Sequence, residues 1–170
     1  MSRRQCRGLP DSIPLKRGLE MATFQQLWNN HPANWTPPDP HPCKNKSGDP
    51  AFRNQCAIRM GLALQGAGIN TNSVPGARCW HGHGRSHILR VRNLAPWIES
   101  RASTIGCKKK VVHKNVTHKD FTNKKGIVYF QNFWGANNQG DHIDLWNGTR
   151  VAKGALDYFS RSEEVWFWKM

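Results

Sequence analysis

The chain has 170 residues, of which 38% are hydrophobic and 21% are charged. It is long enough for one domain with a buried core and too apolar for an intrinsically disordered protein. Lysine and arginine outnumber aspartate and glutamate 25 to 11, and the formal net charge of +14 favours a polyanionic partner such as a nucleic acid, an acidic polymer or an acidic inhibitor.

The N-terminal part of the sequence predicts a loose arm, a short helix and a long loop. Residues 1–20 are basic and irregular, and residues 21–170 are expected to form a single domain. Thr23 has the position of a helix N-cap, and Phe24–Trp28 carries an apolar stripe with helical spacing. Six prolines between residues 31 and 50 predict an extended loop.

A second helix is predicted from Cys56 to Ala67, because no breaker interrupts this apolar stretch before Gly66. A polar loop over residues 71–87 follows, and then another helix. The apolar positions expected in that helix are Leu89, Leu94, Trp97 and Ile98. Pro96 among them predicts an early break or a helix start nearby.

The C-terminal part has the period-two pattern of strands. Residues 126–130 and 142–146 are predicted to pair, and Asn147-Gly148 is a strong signal for a two-residue hairpin turn. Residues 149–152 would then return antiparallel, and residues 165–168 form a last strand. Since helices come first and strands later, we predict an α+β fold with an antiparallel sheet.

Cys56 is a candidate nucleophile because it stands at the start of a predicted helix. The free N–H groups and the positive dipole end there lower the pKa of a thiol, and the same N–H groups can stabilise an oxyanion during acyl transfer. A helical cysteine is more often an inert, buried hydrophobe, so Cys56 alone does not establish catalysis.

His142 supplies the second half of a possible cysteine hydrolase. It alternates with apolar residues, so His142 and Asp144 project from one face of the predicted strand. A histidine that takes the thiol proton needs a third group to hold its tautomer. Asp144 is the nearest candidate and Asp157 a more distant one, while a two-residue hairpin places Lys153 opposite His142. A simple Cys–His dyad and an exposed polar face without catalytic function are the alternatives.

Two other functions are weighed against a cysteine hydrolase. The set Cys79, His81, His83 and His87 contains possible zinc ligands, but its spacing matches no common zinc module. We therefore expect no metal or cofactor. The loop that carries these residues is expected instead to shape the mouth of the site or to bind an anionic ligand. Lysines and aromatic residues also suggest a nucleic-acid-binding or nucleic-acid-degrading toxin. Because most aromatic residues lie in apolar-periodic segments, this is the second hypothesis.

Two motifs in combination carry a family resemblance. They are Asn54-Gln55-Cys56-Ala57-Ile58-Arg59-Met60 and His142-Ile143-Asp144-Leu145-Trp146-Asn147-Gly148. Phe24–Trp28 with His31-Pro32 and the closing Trp166–Trp168 also match, and residues 84–98 match more loosely. On these residues the chain resembles the type VI secretion amidase effectors of the Tae4 group. These are papain-like, NlpC/P60-type cysteine peptidases that act on bacterial cell walls.

The resemblance implies N-terminal helices, one of which carries the nucleophile at its N-terminus, packed on an antiparallel sheet that carries the histidine. It makes Cys56 the nucleophile and His142 the general base. Where the family has an aspartate on the return strand, this sequence has Lys153, so we assign the third role to Asp144.

The resemblance also implies a function and a route. The expected reaction is hydrolysis of an amide bond in the peptide stem of peptidoglycan, between D-glutamate and diaminopimelate, which lyses a rival cell. The expected partners are peptidoglycan, an acidic immunity protein and a secretion machine, with no nucleic acid and no stable membrane insertion. Because no signal peptide is visible, we expect a protein made in the cytoplasm and injected into the target periplasm. That oxidising compartment would permit one disulfide among Cys43, Cys79 and Cys107.

Overall fold

The computed structural model describes residues 21–83 and 87–170; the predicted arm, residues 1–20, lies outside this part of the chain. The helices are α1 (Phe24–Asn30), α2 (Cys56–Gly66), α3 (Val91–Ser100), α4 (Ala102–Ile105) and α5 (Tyr158–Arg161), and the strands are β1 (Val111–His113), β2 (Gly126–Trp134), β3 (Gly140–Trp146) and β4 (Glu164–Lys169). Short 3₁₀ helices cover Pro32–Asn34, His118–Phe121 and Ala136–Asn138. The predicted α+β class is confirmed.

The four strands form one antiparallel sheet in the order β1-β4-β2-β3. In the predicted pairing of β2 with β3, Ile127 lies opposite Leu145 and Phe130 opposite His142. The C-terminal strand β4 is inserted between β1 and β2, so β3 is left at one edge of the sheet. The edge position brings β3 against the helix that begins at Cys56, since α2 and β3 are in contact.

The sheet separates two hydrophobic clusters. The helix-side cluster includes Leu94, Ile98, Ile127, Ile143, Leu145 and Trp168, and the cluster on the other face includes Phe121, Val128, Phe130, Trp146 and Phe159. Strand alternation therefore turns His142 and Asp144 away from the face that Ile143 and Leu145 bury against the helices, as the sequence predicts. Most of the aromatic side chains pack in these two clusters.

The first two helices follow local rules. Thr23 caps α1 in a reciprocal capping box with Gln26, and Leu27 is fully buried beneath it. Helix α2 ends at Gly66, where an added Cβ would collide with the Asn30 side chain of α1. The close approach of the two helices therefore requires glycine at this position.

Helix α3 corrects two expectations. It begins at Val91, so Leu89 lies before the helix, and it runs through Pro96 without ending. An interior proline costs a helix about 3 kcal/mol. The fully buried Leu94 and Ile98 each contribute about 1.5–3 kcal/mol and offset that cost.

Among the described residues, none of the helices has both the length and the apolar character needed to span a bilayer.

The two-residue hairpin predicted at Asn147-Gly148 is wrong. Trp146 pairs with Val151 in an isolated bridge, and the described residues 149–152 contain no strand. The cause is the Asn147 side chain, whose Oδ1 accepts the N–H groups of Thr149 at 3.0 Å and Arg150 at 2.8 Å and closes a longer turn. Because the register differs from the predicted one, Lys153 does not lie opposite His142. Its main-chain N–H instead donates to Asp144 Oδ2.

Candidate active site

Cys56 is the first residue of α2 and is 9% exposed. The preceding residue, Gln55, makes no side-chain cap for this helix. Its Oε1 instead accepts the Cys43 N–H at 2.8 Å, and its Nε2 donates to the carbonyl oxygens of Cys43 at 2.8 Å and Phe52 at 3.0 Å. The main-chain N–H groups in the first turn of α2 are therefore left for an anion, while the Gln55 amide is fully occupied.

The thiol of Cys56 and the imidazole of His142 are neighbours that shift each other's protonation. Burial opposes ionisation of Cys56, but the hydrogen bond and charge of His142, the charge of Arg59 and the Ile143 N–H together lower the pKa of the thiol. Burial likewise opposes the charged form of His142, yet its hydrogen bonds to Asp144 and Cys56 raise its pKa to about 9. The pair is thus favoured as thiolate and imidazolium.

Neighbouring groups fix the orientation of the His142 ring. Its Nε2 donates to Asp144 Oδ2 at 3.1 Å, which leaves Nδ1 for the thiol. Phe130 stacks on the ring with a centroid distance of 6.1 Å and an interplanar angle of 20°. Tyr158 meets the ring edge-on at 5.4 Å. The imidazole therefore has little rotational freedom.

Asp144 is fully buried and saturated with hydrogen bonds. Besides His142, its Oδ1 accepts the Leu145 N–H at 2.7 Å and its Oδ2 accepts the Lys153 N–H at 2.8 Å. Burial alone would favour the neutral acid, but the neighbouring His31, the bond from His142 and the Leu145 amide lower the pKa of Asp144. The carboxylate is held ionised beside the imidazole.

His31 is a member of this network to which sequence reasoning assigned no role. Its Nδ1 accepts the Ala33 N–H at 3.3 Å, so the proton of the neutral ring lies on Nε2, which is 3.4 Å from Asp144 Oδ1 without hydrogen-bond geometry. Burial lowers the pKa of His31 to about 4, so the ring is neutral near pH 7. The available signal was its position in His31-Pro32, directly after α1, where it caps the next turn.

Of the residues predicted for the site, the structure brings Cys56, His142 and Asp144 together. Asp157 lies elsewhere: its exposed carboxylate pairs with Arg161 Nη1 at 3.3 Å. The choice of Asp144 over Asp157 as the neighbour of His142 therefore agrees with the geometry.

A cleft of about 820 Å³ opens above Cys56 and His142. Its walls include the cationic residues Arg53, Arg59, Arg150, Lys153 and Arg161, and one acidic residue, Asp141. Arg59 is 6% exposed; its Nη1 donates to the Pro40 carbonyl at 2.8 Å, and its Nε has no hydrogen-bond partner among the described residues. A cleft with this charge is suited to a ligand that carries carboxylates.

The loop over residues 79–87 was expected to shape the mouth of the site. Its described residues do not line the cleft. Three of them, Cys79, His83 and His87, gather instead around Cys43, which gives the described part of the chain one group with a donor set for a metal ion, outside the cleft.

Comparison with known proteins identifies relatives of the whole arrangement. The sequence model of Tae4, described as type VI secretion system amidase effector protein 4, matches residues 52–168. Among solved structures, the Tae4 of the Tae4–Tai4 effector–immunity system from Salmonella typhimurium is 25% identical, with a TM-score of 0.63 over 89% of this chain and 99% of that one.

Two further structures are of the same kind. A type VI effector–immunity complex Tae4–Tai4 from Salmonella Typhimurium is 26% identical, with a TM-score of 0.60 over 87% of this chain and 97% of the other. The corresponding complex from Enterobacter cloacae is 19% identical and shows the shared fold, with a TM-score of 0.61 over 89% and 99% of the two chains. No curated protein matches the sequence.

Proposed function

The chain belongs to the Tae4 family, the peptidoglycan amidase effectors of type VI secretion systems, and on that premise we propose that Cys56, His142 and Asp144 cleave the peptide stem of peptidoglycan by covalent catalysis. The observation that carries this proposal is the placement of the Cys56 thiol beside the His142 imidazole, which is hydrogen-bonded to the buried Asp144 carboxylate, beneath a cationic cleft. It is the arrangement that a cysteine hydrolase requires.

In the acylation step, His142 Nδ1 holds the proton of Cys56, and the thiolate sulfur attacks the carbonyl carbon of the amide. The carbonyl π electrons move to oxygen, and the main-chain N–H of Cys56 at the helix N-terminus stabilises the oxyanion. Collapse of this intermediate breaks the C–N bond. His142 gives its proton to the departing amine, which leaves a thioester on Cys56.

In the deacylation step, neutral His142 removes a proton from water, whose oxygen attacks the thioester. The C–S bond then breaks, and the product carboxylic acid and the Cys56 thiolate are released. Asp144 keeps the other His142 proton on Nε2 and stabilises the imidazolium in both steps. Neutral His31 supports Asp144 without competing for that proton.

The bond proposed for cleavage is the one between D-glutamate and diaminopimelate. Both residues carry carboxylates close to this amide, and the cationic walls of the cleft offer them partners. Arg59 is the best placed of these because it is buried, lies close enough to Cys56 to lower its pKa, and has an unpartnered Nε. A guanidinium in such a position binds a carboxylate more strongly than an exposed lysine does.

The same cleft suggests how the producing cell is protected. The Salmonella and Enterobacter relatives form complexes with the immunity protein Tai4. We propose that the cognate immunity protein of this chain presents acidic residues to the cationic cleft and blocks Cys56. Delivery by the secretion machine would place the enzyme in the periplasm of a target cell, where its substrate lies.

Digestion of purified peptidoglycan tests the function, with fragments identified by mass spectrometry. The wild-type protein should release fragments that end in D-glutamate, and Cys56→Ala should release none. Cys107→Ala is the matched control, since Cys107 is also a buried thiol but does not line the cleft. Equal fragments from wild type and Cys56→Ala would overturn the mechanism, and cleavage at another amide would overturn the bond assignment. If Cys56→Ala remained toxic to target cells, a nucleic-acid-directed toxin would be favoured.

A further inference from the structure

A second cluster of thiols and imidazoles lies outside the catalytic cleft. It consists of Cys43, Cys79, His83 and His87, and one donor atom from each lies within 4.8 Å of all the others. The two Sγ atoms are 3.4 Å apart, and His83 Nδ1 is 3.5 Å from Cys79 Sγ and 4.0 Å from Cys43 Sγ. Around a tetrahedral zinc ion with ordinary bond lengths, such donor atoms would be roughly 3.3–3.8 Å apart. The cluster is therefore close to the size of a zinc site.

The tautomer of His83 is set for metal binding. Its Nε2 lies 2.6 Å from the carbonyl oxygen of Lys44. A carbonyl oxygen only accepts, so Nε2 carries the proton and Nδ1, which lies 3.5 Å from Cys79 Sγ, keeps a lone pair for a ligand. A bond from the second ring nitrogen to a main-chain carbonyl is the usual support of a metal-bound histidine.

His87 provides an independent observation. The residue is 6% exposed, and its Nδ1 is buried without a hydrogen-bond partner among the described residues. Leaving such an atom unpaired in the interior is unfavourable, so a ligand for it is expected. The His83 and His87 rings stack with centroids 4.8 Å apart.

The main chain holds these donors in place. The Cys79 N–H donates to the His87 carbonyl at 3.0 Å, and the His81 N–H donates to Cys79 Sγ at 3.4 Å. Cys43 is fixed on both sides by the Gln55 amide, which accepts from its N–H and donates to its carbonyl. Gln55 directly precedes Cys56, so the cluster is joined to the start of the catalytic helix.

We propose that Cys43, Cys79, His83 and His87 bind one zinc ion as a tetrahedral Cys₂His₂ structural site. Binding displaces the two thiol protons and involves no redox change. The ion would join the loop that contains Cys43 to the loop of residues 79–87 and, through Gln55, steady the N-terminus of α2. His81, which the sequence offers as a further candidate ligand, packs its ring against Phe52 and Trp80 instead.

A disulfide between Cys43 and Cys79 is the competing use of the two thiols. It would consume both sulfur atoms and leave His87 Nδ1 without a partner and the Nδ1 lone pair of His83 without a cation. Zinc satisfies all four donors at once, so the two imidazoles favour the metal. This inference does not depend on the proposed peptidoglycan chemistry.

The test uses the full-length protein, purified with a reductant and then given Zn²⁺. Elemental analysis should find one zinc per chain, and Co²⁺ added in its place should give the thiolate-to-cobalt charge-transfer bands of a tetrahedral site. His83→Gln and Cys79→Ser should each weaken Zn²⁺ affinity at least about 100-fold. Cys107→Ser and Cys56→Ala, which remove thiols outside the cluster, should keep wild-type affinity.

The wild-type measurements stand even if a ligand variant fails to fold. Reduced wild-type protein that takes up neither Zn²⁺ nor Co²⁺ would overturn the proposal. It would equally be overturned if both ligand variants kept wild-type affinity, or if mass spectrometry found a Cys43–Cys79 disulfide in a protein that binds no zinc after reduction.

Discussion

Two thiol–imidazole clusters in this molecule use the same residue types in opposite ways. In the cleft, the pKa of Cys56 is lowered because His142, Arg59 and the Ile143 N–H outweigh its burial. In the other cluster, burial and the contact with the Cys79 sulfur raise the pKa of Cys43 to about 12. The difference agrees with the general rule that a cysteine beside a histidine is activated as a nucleophile where a charged partner and an open cleft accompany it.

The carboxylate is the second difference between the clusters. His142 has a buried, ionised Asp144 on its second nitrogen, whereas His83 has the neutral carbonyl of Lys44. A carboxylate stabilises an imidazolium, and a carbonyl fixes only a neutral tautomer. The first arrangement is suited to moving protons and the second to holding a cation.

The largest effect expected from this comparison is at the two histidines. His142→Ala should lower kcat/KM for peptidoglycan about 10⁴-fold or more, because both the proton acceptor and the thiolate are lost. His83→Gln, in the other cluster, should leave kcat/KM within about tenfold of wild type. Steady-state hydrolysis of purified peptidoglycan measures both; equal losses would remove the functional distinction between the clusters.

The next largest effect concerns the carboxylate. Asp144→Asn should lower kcat about 10²–10⁴-fold with little change in KM, because the amide neither charges nor holds His142 correctly. Asp157→Asn is the matched control and should change kcat less than about twofold, since its side chain pairs with Arg161 on the surface. If Asp144→Asn retained wild-type kcat, a dyad would describe the enzyme better.

A smaller effect is expected on stability at acidic pH. The pKa of His31 is lowered from 6.5 to about 4 in the folded protein, so below about pH 6.5 the unfolded chain binds a proton that the folded chain refuses. Stability should therefore fall as the pH drops from about 6.5 to 4, by on the order of 2–3 kcal/mol from this group.

Urea denaturation at several pH values measures this loss. His31→Asn should flatten the slope over that window. The Asp144 pKa is lowered from 3.8, so its own contribution is lost below this window. An unchanged slope in His31→Asn would show that His31 is protonated in the folded state.

Much of the candidate site could be predicted because it depends on residues that are close together in the sequence. The start of a helix at Cys56 and the alternation of His142 with Ile143 follow from neighbouring residues and need no long-range contact. The relation of His142 to Asp144 is also local, since residues two apart on a strand share a face.

The remaining features depend on contacts that sequence spacing does not encode. His31 reaches Asp144 across most of the chain, and Cys43 meets Cys79 from 36 residues away. The prediction of a two-residue hairpin turn at Asn147-Gly148 failed for a different reason. The residue types fit that turn, but hydrogen bonds to the Asn147 side chain close a longer one. Contacts between residues far apart in the chain, and turns closed by a side chain, therefore could not be predicted from the sequence.

The central claim is that His142 holds Cys56 as a thiolate, and alkylation by iodoacetamide as a function of pH tests it most directly. Peptide mapping reports each thiol separately in one sample. The pH midpoint for Cys56 should lie below the ordinary thiol value of 9.0, rise in His142→Ala, and contrast with Cys107, whose pKa burial raises to about 12. A Cys56 midpoint at or above 9.0, unchanged in His142→Ala, would contradict the account.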